Sequence, residues 1–144
     1  MQAGKWQVYT TENSGLPSDN VRSITIDREG MPWVGTDRGL VRLQKRKWQV
    51  YTIKNSELPS DTVRTIAIDR EGAIWVATIA HGLARLQFGK WKVYTLEDSS
   101  LPIIDTRALL VDNEGVIWVG TGDGLCGKGQ DRRRPGGERD QSGL

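Results

Sequence analysis

The chain has 144 residues and a formal net charge of +2, with 17 Gly, six Trp and one Cys. The basic excess comes from the segment 127–144, and the preceding residues are neutral overall, so the charge does not support nucleic-acid binding. A single Cys excludes an internal disulfide and a thiolate metal cluster, and we expect no signal peptide, no membrane insertion and no cofactor.

Three copies of one unit, spaced by 42 and 43 residues, fill most of the sequence. Each copy carries the same markers in the same order: Trp6, Trp48 and Trp91; Leu16, Leu58 and Leu101; Asp27, Asp69 and Asp112; Trp33, Trp75 and Trp118. The extra residue of the longer interval lies near His81, in a loop. A repeat of this length built from short β segments is typical of propeller blades.

Four short strands are predicted in the first unit, at 21–26, 32–36, 40–44 and 48–52, because β-branched and alternating apolar residues favour strands. Gly30 follows the first strand, where a tight hairpin needs a positive φ. The same pattern predicts an orphan outer strand at 5–10, blades at 21–52 and 63–95, an incomplete blade at 106–126 and a disordered tail at 127–144. We therefore predict an all-β fold of about three β-propeller blades of four antiparallel strands, incomplete or closed by oligomerisation.

One run of residues carries a resemblance to a known family. The sequence Leu-Pro-Ser-Asp-x-Val-Arg-x-Ile-x-Ile-Asp-Arg-Glu-Gly-x-x-Trp-Val occupies 16–34 and recurs at 58–76; the third copy, at 101–119, has Ile103 and Ile104 in place of Ser-Asp. This run resembles the two-component regulator propeller repeat. The resemblance implies a non-catalytic, ligand-binding sensor propeller, or a fragment of one, from the extracytoplasmic part of a bacterial two-component histidine kinase. A scaffold for protein–protein contacts, or a propeller lyase or hydrolase, are the alternatives.

The two ends of the repeat array do not match, because an outer strand without a blade precedes a blade without an outer strand. Three blades are too few to close a ring. One explanation is a fragment, or a frameshifted reading of a longer propeller, and we favour it. The other is a six-bladed ring of two copies that exchange residues 5–10.

Two recurring sets of residues have competing interpretations. Asp27 and Glu29, repeated in every unit, would suit a calcium site or an acid/base pair. Their recurrence favours a hairpin turn in which the Asp accepts backbone hydrogen bonds. The six Trp would suit a carbohydrate-stacking surface, but their regular spacing favours packing between blades.

The candidate ligand-binding residues lie at one end of the predicted blades. Arginines near the start of the first strand of each unit would hold a carboxylate or phosphate, unless they form ion pairs with Asp in neighbouring turns. Loops between the second and third strands share that end and differ between copies, as binding loops do. The predicted set is Arg22, Arg64, Arg107, Asp37, Arg38, His81 and Asp123. We predict no catalytic residue and no metal site, since His81 lacks a partner ligand; the expected partner is a small molecule, an oligosaccharide-like ligand or a protein.

Overall fold

The structure is a computed structural model that describes residues 4–79, 82–94 and 106–129. These residues form eleven β-strands and no helix, which confirms the all-β prediction. The strands are β1 (Val21–Ile26), β2 (Pro32–Thr36), β3 (Gly39–Gln44), β4 (Lys47–Tyr51), β5 (Val63–Ile68), β6 (Ile74–Thr78), β7 (Gly82–Gln87), β8 (Lys90–Tyr94), β9 (Thr106–Val111), β10 (Ile117–Thr121) and β11 (Gly124–Lys128).

The strands form three antiparallel sheets in which every neighbour in sequence is a neighbour in the sheet. We call them blade 1 (β1–β4), blade 2 (β5–β8) and blade 3 (β9–β11). The first strand of each blade is its inner strand, and β5 packs between β1 and β9. Blade 2 is therefore covered on both faces, and the described residues make an open arc of three propeller blades, as predicted.

Each interface between blades has its own apolar core. Trp33 and Leu40 of blade 1 pack with Val63 and Ile66 of blade 2. Trp75 of blade 2 belongs to a second cluster, with residues of β10. Trp75 is 3% exposed, whereas its counterpart Trp118 in blade 3 is 36% exposed. The recurring Trp therefore fill the space between blades, and Trp118 is exposed because no fourth blade covers it in the described part of the chain.

Close approach of the blades requires a small residue in β2. A Cβ added to Gly35 would lie 2.6 Å from Cγ1 of Val63 in the neighbouring inner strand. Ala77 occupies the same position in blade 2 and is fully buried, and Gly120 occupies it in blade 3. Large side chains are therefore excluded where an inner strand lies against the blade before it.

One prediction about the ends needs correction. We predicted that blade 3 stops at residue 126, but β11 runs from Gly124 to Lys128 and pairs with β10 along its length. Backbone hydrogen bonds make this pairing, so the change of side chains after Cys126 does not end the strand. The segment at 5–10, predicted as an orphan outer strand, has no strand partner in the described residues. The rest of the predicted tail, 130–144, lies outside the described residues.

Candidate ligand-binding face

The three arginines predicted to bind a ligand occupy equivalent positions, Arg22 in β1, Arg64 in β5 and Arg107 in β9. Each lies where the pairing of an inner strand with its neighbour skips one residue. Such bulges re-aim a side chain and occur next to binding sites. The inner strands are adjacent, and each arginine lies near the N-terminal end of its strand. The fold therefore brings the three arginines to the same face of the arc, which we call the arginine face.

Asp37 pairs with Arg22 on the arginine face. Its carboxylate accepts hydrogen bonds from the Arg22 guanidinium and from the side-chain amide of Asn20. The bond from Arg22 is the main reason that the pKa of Asp37 lies below its ordinary value. The Asp37 position is Ile79 in blade 2 and Gly122 in blade 3, so this ion pair cannot recur there. Blade 1 therefore presents a neutralised arginine, and the other two blades lack this carboxylate.

The turns between the second and third strands of each blade also lie at the arginine face. Arg38 and Asp123 are exposed, and their backbone N–H groups donate to the hydroxyls of Thr36 and Thr121, each at 3.0 Å. These threonine bonds fix the two turns while leaving the charged side chains in solvent. His81, the remaining predicted residue, lies outside the described residues, so the structure brings together six of the seven predicted residues. Their role in binding a ligand stays a prediction.

Asp27 lies at the opposite end of blade 1 and organises the first hairpin. Its Oδ1 accepts hydrogen bonds from the backbone N–H groups of Glu29 and Met31, both at 2.9 Å. Its Oδ2 accepts from Trp33 Nε1 at 2.9 Å and from Arg42 Nε at 3.0 Å. Burial raises the pKa of Asp27, but these hydrogen bonds together outweigh burial and hold the pKa below its ordinary value.

The same arrangement recurs in blade 2, where Asp69 is buried. Asp69 Oδ2 accepts from Trp75 Nε1 at 2.8 Å and from Arg85 Nε at 3.0 Å, and Glu71 also pairs with Arg85 at 2.9 Å. In blade 3, Asp112 accepts from Trp118 at 2.9 Å. Donors in the protein engage both carboxylate oxygens of Asp69, Oδ1 from two backbone N–H groups and Oδ2 from two side chains. The predicted hairpin turn, in which the Asp accepts backbone hydrogen bonds, is therefore confirmed.

Arg42 and Arg85 were not singled out from the sequence. The guanidinium of Arg42 lies 5.6 Å from the centre of the Trp33 ring, and that of Arg85 lies 5.8 Å from the centre of Trp75. Each arginine thus joins an acidic turn to the ring that packs against the next blade. Their recurrence opposite the Trp in β3 and β7 was the available signal.

Two grooves open between blades at the end opposite the arginine face. The larger, about 430 Å³, is lined by Trp33, Tyr51 and residues of blade 2. The smaller, about 250 Å³, is lined by Trp75, Tyr94 and residues of blade 3. In both, the Tyr of the fourth strand stacks on the Trp, with ring centres 5.8 and 5.3 Å apart. The stacking repeats with the blade, so it belongs to the packing of the propeller.

Within 4–79, 82–94 and 106–129, no group of three His, Cys, Asp or Glu side chains is arranged to hold a metal ion. The same residues include no helix with the length and hydropathy needed to cross a membrane.

The fold and the repeated Asp–Trp hairpin define this chain as propeller blades, and sequence comparison shows which known repeat two of the blades resemble. Residues 57–80 and 100–123 match the family described as two-component regulator propeller. These two stretches are therefore similar to the two-component regulator propeller repeat, which confirms the resemblance seen in the sequence. No curated protein sequence matches the chain.

Solved structures agree with this assignment. The extracellular domain of a protein from B. thetaiotaomicron, described as a hybrid two-component system, is 28% identical over 85% of this chain, with a TM-score of 0.71. A second such domain from B. thetaiotaomicron is 26% identical over 83% of the chain, with a TM-score of 0.67. The chain covers 17% of each of these two structures, so it spans about a sixth of their length.

More distant structures share the fold alone. Virginiamycin B lyase from Staphylococcus aureus is 18% identical over 79% of this chain, and the chain covers 42% of the lyase, with a TM-score of 0.55. At this identity, the likeness establishes propeller architecture and nothing about the reaction.

Proposed function

We propose that this chain is a non-catalytic part of a sensor propeller and binds an anionic small molecule or acidic oligosaccharide at the arginine face. The likeness to the extracellular domains of two hybrid two-component systems supports the sensory role. The same likeness supports a location outside the cytoplasmic membrane.

The observation that carries the choice of ligand is the alignment of Arg22, Arg64 and Arg107 on three adjacent strands, each in a bulge. A guanidinium binds a carboxylate or phosphate through two parallel hydrogen bonds. The Asp37 carboxylate already forms an ion pair with Arg22. A ligand carboxylate would make the same kind of contact with an arginine. The turns beside the arginines vary between blades, which is how a repeated scaffold acquires a specific binding face.

The test is a thermal-shift screen of the full chain with carboxylated and neutral oligosaccharides of matched length and with inorganic phosphate. A ligand that binds only the folded state raises the melting temperature, by several degrees when its concentration is about a hundred times its Kd. We expect the carboxylated ligands to produce this shift and the neutral ones to produce none. Added salt should weaken the shift, because the contact is between charges.

Matched arginine variants locate the site. Arg107→Gln should abolish the shift, whereas Arg46→Gln removes the same charge from an exposed turn at the opposite end and should leave it unchanged. Equal loss in both variants would show that net charge alone attracts the ligand, and would refute a site at the arginine face. A shift by neutral ligands that survives Arg107→Gln would also refute it. If no ligand shifts the chain but a protein partner is captured on it, the chain is a scaffold.

A further inference from the structure

The segment Lys5–Thr10 has the sequence of a fourth strand without a sheet to join. It reads Lys-Trp-Gln-Val-Tyr-Thr, which is identical to residues 47–52 of blade 1, where β4 forms. Trp6 is 96% exposed, and Val8 is also exposed. A strand sequence with large apolar side chains in solvent indicates that a partner is missing.

The loop after this segment already has the conformation that follows a paired fourth strand. The backbone N–H of Thr10 donates to Asn13 Oδ1 at 2.8 Å, and Thr52 donates to Asn55 Oδ1 at the same distance. Each Asn amide also donates to the carbonyl oxygen of the strand's Val, at 3.0 Å in both. The segment at 5–10 is therefore held by its own loop in the orientation of an outer strand.

Aromatic contacts give the position of the segment. Tyr9 meets the ring of Trp48 edge-on, with centres 5.5 Å apart and planes at 65°. Tyr51 of blade 1 meets Trp91 of blade 2 in the same way, at 5.9 Å and 72°. The segment thus lies beside blade 1 as the fourth strand of one blade lies beside the next. This position is at the opposite end of the arc from β11, so a chain cannot pair the segment with its own β11.

Blade 3 presents the edge and the face that this segment would complete. β11 pairs with β10 on one side, and no described strand covers its other edge. Trp118 and Leu125 are exposed on the open face of blade 3, and Ile24 is exposed on the open face of blade 1. In the interface between blades 1 and 2 the equivalent residues pack together and are buried. The two open faces therefore repeat the two sides of an interface that this chain already forms.

The mismatched ends of the sequence by themselves favour a fragment of a longer propeller, but the matching open faces and the position of the N-terminal segment point to assembly. We propose that two copies of this chain close a six-bladed ring, each donating Lys5–Thr10 as the outer strand of the other's blade 3. The pairing of β3 with β4 sets the register: Val41 lies opposite Val50, so Cys126 lies opposite Val8 of the partner subunit. The open face of each blade 3 then packs on blade 1 of the partner. This interface would complete the set of inner strands around one axis.

The only cysteine of the chain makes the register testable. Directly opposed residues on antiparallel strands share a face and lie within disulfide range. In the Val8→Cys variant, mild oxidation should therefore convert the chain from 16.1 kDa to a covalent dimer of twice that mass. Tyr9→Cys places the thiol on the other face of the strand and is the control; it should remain monomeric under the same denaturing, non-reducing conditions. Equal cross-linking in the two variants would overturn the register.

A second variant tests the interface between open faces without changing the fold of one chain. A Cβ at Gly120 would meet only Ala108, at an ordinary 3.6 Å, although the same change at Gly35 would clash with Val63. Gly120→Val should therefore leave the circular dichroism spectrum unchanged and shift the light-scattering mass from dimer to monomer. A wild-type chain that is monomeric, with its open faces left for further blades, would overturn the proposal. So would a series of masses above the dimer, which indicates open-ended addition.

Discussion

Replacing Asp69 with Asn should destabilise the chain far more than the same change at Glu71, although both carboxylates bind Arg85. Asp69 is fully buried and Glu71 is 60% exposed. Asp69 accepts four hydrogen bonds, two from backbone N–H groups and two from Trp75 and Arg85. An Asn has one acceptor oxygen, so its NH₂ group must face two donors in either orientation of the amide.

Loss of those two bonds, with donors left unsatisfied in a buried site, should cost about 3 kcal/mol. An exposed ion pair contributes at most about 1 kcal/mol, so Glu71→Gln should cost less than that. With a urea m-value of about 2 kcal/mol/M, the Asp69→Asn midpoint should fall by about 1.5 M. Urea titration followed by Trp fluorescence measures both variants. A fall of less than about 0.5 M for Asp69→Asn, or equal falls for the two variants, would refute the argument that burial sets the cost.

Three further predictions concern packing and pH. Leu40 is fully buried, so Leu40→Ala should lower the free energy of unfolding by about 2–5 kcal/mol. Leu125 occupies the equivalent position in blade 3 but is 68% exposed, so Leu125→Ala should cost less than about 0.5 kcal/mol in the monomer. Similar urea midpoints for the two variants would contradict this. Gly35→Val should cost about 1–3 kcal/mol by overpacking against Val63, and an unchanged melting temperature would count against it. Burial raises the pKa of Asp27, but the hydrogen bonds to its carboxylate hold that pKa below the ordinary value. The charged carboxylate therefore stabilises the fold fully above about pH 4, and this contribution is lost as the pH falls further. Between pH 5 and pH 3 the urea midpoint of Asp27→Asn should fall less than that of the wild type.

The repeat made most of the fold predictable. Aligning three copies averages out local ambiguity, so the four strands of blade 1 were predicted to within a residue at each end, and Gly30 adopts the positive φ that its hairpin requires. The error at β11 arose where the repeat stops. There the side chains no longer follow the pattern, and Gly127 stands opposite Trp118 where the other blades have Arg. The indole ring of Trp118 lies over this glycine, and the backbone ladder continues beneath it.

The candidate site was less predictable than the fold because its contacts join distant parts of the chain. The repeat predicted that Arg22, Arg64 and Arg107 occupy equivalent positions at the same end of their blades. The pairing of Arg22 with Asp37, however, depends on how the chain turns between β2 and β3. The role of Arg42 depends on the approach of β3 to the hairpin of Asp27. An ion pair between such an arginine and an Asp in a neighbouring turn was an alternative from the sequence, and the structure identifies Asp37 as that partner of Arg22. The Arg42 contact has no signature within a few residues and becomes visible only once the strands are laid side by side.

The sandwiching of blade 2 has a consequence for the motions of the chain. Ile66 in β5 is 6% exposed, whereas Ile24, its counterpart in β1, is 65% exposed. A sheet packed on both faces opens only when its neighbours have been displaced, so amide hydrogen exchange should be slowest in β5 and β6 and faster towards either end of the array. In a chain that has not assembled into a ring, Arg22 and Arg107 then lie in the faster-exchanging outer blades, on either side of the more rigid Arg64. An occupant that spans all three arginines would slow exchange in the two outer blades, and in a sensor such stiffening is a change that can be passed to whatever the blades adjoin.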